Sequence, residues 1–188
     1  MSHIVVFDTE TTGIPDWKIP SESESQPHIV QLGAHLVHIE SRKVVQTIDL
    51  IIKPEGWVIT PETIDIHGIT NEYAAEVGIP EKQALEILLA MCAGRKRVAF
   101  NTTFDNRIVR IATKRHCSEE VINAWHEGEY ECAMIASRKI MGGKQPNLAE
   151  AYKYFTDKEI QNAHSAIGDV NACMEVYFAI QDHLAAAA

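Results

Sequence analysis

No stretch of this chain is long and apolar enough to span a membrane, and no membrane partner is expected. The first apolar run, Ile4 to Phe7, is too short for the core of a secretion signal. Cysteine is scarce. Cys92, Cys117, Cys132 and Cys173 are widely spaced, and no two form a C-x-x-C pair. That argues against a thiolate zinc cluster and against a redox pair. Cys92 and Cys173 fall within apolar helical patterns and read as buried thiols, which points to a cytoplasmic setting. Positive charge is also in deficit, with 17 Lys and Arg against 26 Asp and Glu, a net charge of −9. This excludes a broadly basic nucleic-acid coat. An acidic protein can still act on nucleic acid if it grips only a few phosphates and brings metal ions. No internal repeat is visible. What remains is ordinary for a single globular domain of 188 residues, with 46% hydrophobic and 23% charged residues.

Ile4, Val5, Val6 and Phe7 form a continuous apolar run that reads as a strand buried on both faces. His28 to Ile39 and Val44 to Lys53 read as two further strands, joined by a hairpin over Glu40 to Lys43. Between the first and second lies a polar loop, Ile14 to Pro27, with three prolines and an alternating Ser and Glu run. It is expected to be mobile. It either borders a site or is a solvated insertion. Pro54 to Gly78 reads as irregular. Pro80 to Ala93 reads as a helix that ends at Gly94, and the cations Arg95, Lys96 and Arg97 then complement its dipole. A short strand, Val98 to Phe100, leads into a helix that ends at His116. Its Arg107, Arg110, Lys114 and Arg115 read as a solvated face, some of it within reach of phosphate. Tyr130 to Ile140 reads as a strand running into a helical turn. Helices are expected over Asn147 to Phe155 and Ser165 to Leu184. This order fits an α/β layered fold with a mixed sheet.

Chemistry concentrates where these elements end. Asp8 and Glu10 are two apart at the end of the first strand, so their side chains project to the same side. Like charges held that close are costly unless a cation sits between them. Oxygen ligands of this kind suit hard ions such as Mg²⁺ or Mn²⁺. Asp105 lies at a strand-to-helix junction, where capping alone would account for it. Asp169 lies in the first turns of the last helix, and His164 just precedes that helix.

Three pieces stand in order: Asp8-Thr9-Glu10-Thr11-Thr12-Gly13, Asn101-x-x-Phe104-Asp105, and His164-x-x-x-x-Asp169. Together they resemble the three motifs of DEDDh-type DnaQ-like 3′–5′ exonucleases, a family that includes bacterial proofreading exonucleases and ribonuclease T. The segments His28 to Ala34 and His67-Gly68-Ile69-Thr70 are similar to the family's second strand and its H-G-I turn. The acidic loop at Ser21 to Ser25 and the lack of a polymerase-binding tail depart from the pattern.

The resemblance implies a ribonuclease H-like fold, with a mixed five-stranded sheet of order 3-2-1-4-5, strand 2 antiparallel, flanked by helices. It implies two divalent ions, Mg²⁺ or Mn²⁺, held by Asp8, Glu10, Asp105 and Asp169. In that scheme Asp8 bridges both ions, Glu10 and Asp169 hold the ion that activates water, and Asp105 supports the second. His164 is then the general base, and its ordinary pKa of about 6.5 suits that task. Thr11, Thr12, Ile66, His67 and Phe104 match positions around the terminal nucleotide, and the Phe offers a face for stacking. The implied partner is a single-stranded or frayed 3′ end, DNA ahead of RNA, with nucleoside 5′-monophosphates as products. Three other readings are carried beside it: a proofreading subunit that works with a DNA polymerase, a binding module without catalysis, and a metal phosphatase acting on small nucleotides.

Overall fold

The computed structural model describes residues 2–161 and 163–187. Three antiparallel strands come first: β1 (His3–Thr11), β2 (Ile29–His38) and β3 (Val44–Ile51). Helices α1 (Pro61–His67), α2 (Asn71–Val77) and α3 (Glu81–Cys92) follow, then β4 (Lys96–Ala99), α4 (Thr102–His116) and α5 (Glu119–Glu127). The chain ends with β5 (Tyr130–Cys132), α6 (Ala133–Ile140), α7 (Leu148–Thr156) and α8 (Ala166–Ala186). The sheet order is β3-β2-β1-β4-β5, with β4 parallel to β1 and β5 parallel to β4. This is the mixed sheet and strand order expected of a ribonuclease H-like fold. No helix among the described residues is long and apolar enough to cross a membrane.

β1 is central, and its alternation serves two cores. Val5 and Phe7 pack with Leu85, Leu88, Ile108 and Val109 on the α3 and α4 face. Ile4 and Val6 pack with Val170, Cys173 and Val176 of α8 on the other. All four β1 side chains are at most 1% exposed. Burial of that extent contributes roughly 1.5–3 kcal/mol per large side chain, so β1 is fixed in depth and register. Its polar end emerges at the rim, where Asp8 pairs across from Gly33 and Glu10 across from Gln31 of β2.

Gly33 decides how α8 meets the sheet. A Cβ there would lie 2.6 Å from the carbonyl carbon of Ala166 and 2.8 Å from its oxygen. Beside it, Gln31 Oε1 accepts the Ala166 N–H at 3.0 Å, while its amide donates to Asp49. Ser165 caps the helix by accepting from Gly168 N–H. The first turn of α8 is thereby held against β2, opposite Asp8.

Four regions differ from the sequence reading. Residues 54–78 hold two short helices rather than irregular chain. α1 buries none of its side chains, so no apolar stripe announces it. α5 lies in a stretch that gave no element, and buries only Ile122 and Trp125. Lys96 and Arg97 are strand residues, not cations on a helix end, and Arg97 is 2% exposed.

The 14–27 loop is the fourth: much of it is exposed to solvent, yet hydrogen bonds tie it down. Gln26, buried, accepts from Asp16 N–H and donates to the carbonyls of Asp16, Ile19 and Pro20. Arg107 donates to Ile19 O, and Arg115 donates to Pro27 O and Gln26 O. Two of the four cations read as a solvated face on α4 therefore hold this loop, and Lys114 meets Glu119.

Glu81, in the first turn of α3, joins three elements. It accepts from Ile29 N–H at 2.9 Å, and His28 Nδ1 and His116 Nε2 lie 3.2 and 2.9 Å from its other oxygen. Burial alone would raise its pKa, but these hydrogen bonds hold it at about 2.

Candidate active site

At the rim of the sheet, Asp8, Glu10 and Asp169 each offer a carboxylate oxygen, and these atoms all lie within 4.8 Å of one another. β1 supplies the first two because side chains two apart share a face. α8 supplies the third because its first turn is seated on Gly33. Asp105, at the start of α4, is 3% exposed and is turned toward β1 by Thr9. Thr9 donates to Asp105 Oδ1 from its hydroxyl at 2.9 Å and from its backbone N–H at 3.2 Å. The four carboxylates predicted from three separate stretches thus line a single cavity of about 210 Å³.

His164 lines the same cavity. It is exposed and adopts a left-handed backbone with φ of 65°. Such a conformation costs a non-glycine residue about 1–3 kcal/mol, and it recurs where a side chain must be aimed. Its backbone N–H also bonds the Asp169 carboxylate, which links the turn to α8.

The electrostatics are those of a site short of positive charge. Burial pushes the Asp8 carboxyl well above its ordinary range, and repulsion from Asp105, Asp169 and Glu10 adds to this. Burial and Asp169 push Glu10 up to about 7. Burial raises Asp105 despite its bonds from Thr9, and raises Asp169 despite His164. Four carboxyls raised together favour protonation unless a cation replaces the protons. The donors are all hard oxygens, so the set fits a divalent metal ion of the Mg²⁺ class rather than a thiophilic one.

Among the expected substrate contacts, Phe104 lines the cavity. Thr11, Thr12, Ile66 and His67 lie outside its lining. The Thr11 hydroxyl bonds Gly13 O, and the Thr12 hydroxyl accepts from His28 N–H. Ile66 is 56% exposed, and His67 Nδ1 accepts from Ile69 N–H. His67 Nε2 is buried with no partner. Phe100 and Leu148 also line the cavity and stand outside every motif of the sequence, while Thr9 and Asn101, which line it too, stand within the motifs without an assigned role. Thr9 had a signal, since it lies between the two carboxylates of β1. Leu148 had none, because α7 reaches the site only through tertiary packing.

The family model described as Exonuclease, RNase T, matches residues 5–177. No curated protein sequence matches the chain. Among solved structures, E. coli Exonuclease I in complex with a dT13 oligonucleotide superposes with a TM-score of 0.75 at 18% identity. That alignment covers 99% of this chain and 43% of the other. A second structure of Exonuclease I gives a TM-score of 0.77 at 18% identity, over 97% and 41% of the two chains. A 3′-exonuclease that recognises the histone mRNA stem-loop gives 0.75 at 10% identity, over 97% and 82%. The chain spans about two fifths of the length of the Exonuclease I chains it matches. At such identities the superpositions carry the fold, and the match over 5–177 carries the family. With that match over most of its length, and with the sheet order that the superpositions share, the chain belongs to the exonuclease family.

Proposed function

We propose that this protein hydrolyses the terminal phosphodiester at the 3′ end of single-stranded or frayed nucleic acid and releases nucleoside 5′-monophosphates. The observation that carries this reading is the convergence of Asp8, Glu10 and Asp169 oxygens within 4.8 Å, in a cavity shared with Asp105 and His164. The cavity is small, about 210 Å³, so it takes the reacting end of a strand and leaves the rest outside. Its lining joins the carboxylates with the apolar side chains of Phe100, Phe104 and Leu148. Phe104 offers a stacking face that any base can use.

In this reading Asp8, Glu10, Asp105 and Asp169 hold divalent metal, as two ions of Mg²⁺ or Mn²⁺. When bound, the metal supplies positive charge against the phosphate oxygens and makes water a better nucleophile. The chain's own groups do the rest. Thr9 fixes Asp105, and Gln31 and Gly33 fix α8, so the carboxylates need no rearrangement to act. His164 takes the proton of the attacking water. The new P–O bond forms to that water oxygen, the bond to the 3′ oxygen breaks, that oxygen takes a proton from solvent, and the shortened strand leaves with a 3′ hydroxyl. A positioned general base of this kind contributes about 10²–10⁴ in rate.

DNA is placed ahead of RNA, supported by the likeness to Exonuclease I with its dT13 oligonucleotide. The likeness to the histone mRNA 3′-exonuclease makes RNA the necessary comparison. The test is matched 5′-labelled and 3′-labelled single-stranded DNA and RNA, incubated with Mg²⁺ or Mn²⁺. A descending ladder from the 5′ label, with labelled mononucleotide released at once from the 3′ label, is the expected result. Internal cleavage, or shortening from the 5′ end, would overturn the reading.

A further inference from the structure

A second cavity, of about 230 Å³, lies against the stripe of α4 formed by Thr103, Asn106, Arg107 and Arg110. These residues recur at helical spacing and face away from Phe104 and Asp105. Trp17 of the 14–27 loop, Arg97 of β4 and Trp125 of α5 close the cavity. Three arginines line it and no carboxylate does, in a chain whose net charge is −9.

Arg97 is the most telling member. It is 2% exposed, and its guanidinium carbon stacks 3.6 Å from the centre of the Trp125 ring. Its Nη2 donates to Trp125 O and Gly128 O, but Nη1 is buried and has no acceptor. A buried guanidinium is ordinarily matched by a carboxylate, and none is paired with it here. Two more buried atoms around the same cavity lack partners, Arg107 Nε and Asn106 Oδ1. Among the described residues six such side-chain atoms occur, and three of them belong to residues that line this cavity.

We propose that this cavity is a phosphate-binding site, separate from the carboxylate cavity, in which Arg97, Arg107 and Arg110 hold the phosphate of a nucleotide. Guanidinium forks match phosphate oxygens, and their number fits a doubly or singly charged anion. The volume is below the roughly 300–1,000 Å³ that encloses a drug-sized molecule, so the phosphate enters and its nucleoside stays at the mouth. Trp17, 54% exposed beneath the Arg107 guanidinium, offers an indole face to the base there. The phosphate has two sources, a free mononucleotide or a backbone phosphate of a bound strand. Only the second rests on the 3′-end reading above.

Two of the three tryptophans, Trp17 and Trp125, line the cavity, and Trp57 stacks on His28 elsewhere. Tryptophan fluorescence therefore reports on occupancy. The protein is titrated in EDTA, so that neither hydrolysis nor metal contributes, with inorganic phosphate, with thymidine 5′-monophosphate and with a short oligothymidylate. A saturable change is expected, with Kd raised about tenfold to a hundredfold in Arg110→Ala, the usual worth of a hydrogen bond to a charged group. Arg110 has a half-exposed side chain, so this variant keeps the fold even where Arg97→Gln does not. Saturation by the mononucleotide assigns the site to free nucleotide. Saturation by the oligonucleotide alone, weakened in Arg110→Ala, assigns it to the strand. No saturable signal from any of the three, or affinities that Arg110→Ala leaves unchanged, would overturn the proposal. Because the assay needs no turnover, an inactive carboxylate site would not affect its outcome.

Discussion

Gly33→Ala places one methyl group where β2 touches the first turn of α8. The added carbon would meet backbone at 2.6, 2.8 and 2.9 Å, all from Ala166 and Ile167, where an ordinary contact begins at 3.4 Å. No side chain can swing aside. β2 is hydrogen-bonded to β1 and to β3, so the strand cannot yield and the helix must. Lifting it also loosens the Gln31 bond to Ala166 N–H. Overpacking of this kind costs about 1–3 kcal/mol, and the hydrogen bond adds roughly 0.5–1.5. In a domain of this size each kcal/mol lowers Tm by about 2–4 °C, so a fall on the order of 5–15 °C is expected. Activity should fall further than stability. Asp169 and the His164 turn both ride on this helix end, and a displacement of ~1 Å at a reacting centre costs about 10²-fold. The assay is turnover on a single-stranded oligonucleotide well below the variant's Tm, alongside a melting curve. Wild-type Tm together with wild-type turnover would refute the role given to Gly33.

His164→Ala should lower kcat by about 10²–10⁴ while the Tm gain on adding Mg²⁺ survives, since His164 is assigned no ligand role. Loss of that gain would make it a ligand instead. Without metal, Glu10 is held at about 7 against an ordinary 4.5. The folded state then binds the extra proton between those values, so stability of the metal-free protein should fall as pH rises from 4.5 to 7. A bound cation favours the ionised form, so the Tm gain from Mg²⁺ should grow across the same window; a gain independent of pH would contradict this. Glu81 has the opposite sign. Its folded pKa of about 2 lies below the ordinary value, so its contribution is complete above pH 4.5 and is lost as pH falls toward 2. That contribution is about 3 kcal/mol as an upper bound, and Glu81→Gln should flatten the acid limb of the stability curve. A variant that keeps the wild-type slope would remove Glu81 from this account.

The candidate site is legible in the sequence because its residues sit at the ends of strongly patterned elements. A run such as Ile4 to Phe7, short, rich in β-branched residues and followed by polar residues and Gly13, reads as a buried strand, and the carboxylates that follow it inherit a fixed place. The long apolar spacing of α8 did the same for Asp169. Where burial is thin, the pattern fades: α1 buries no side chain and α5 only two. The 14–27 loop misled for a different reason. Its order comes from Gln26, Arg107 and Arg115 bonding loop carbonyls, and a polar side chain serving a backbone leaves no periodic trace. Arg97 looked like a helix-end cation because three cations followed a helix. Its burial follows from alternation in β4, where it shares the Ala99 side, and only the sheet reveals the Trp125 ring beneath it. Gln31 and Gly33 stood within the segment similar to the family's second strand, yet their work on α8 spans 135 residues of sequence separation for the Gln31 bond alone.

In the proposed reading, four converging carboxylates hold the divalent ions on which removal of a 3′ nucleotide depends. That reading is tested most directly by measuring release of the terminal nucleotide from a single-stranded oligonucleotide by wild type and by Asp8→Asn, each with Mg²⁺ and with EDTA. Release is expected only from the wild-type protein and only with the metal. Undiminished release in EDTA, or turnover by Asp8→Asn that matches wild type, would contradict it.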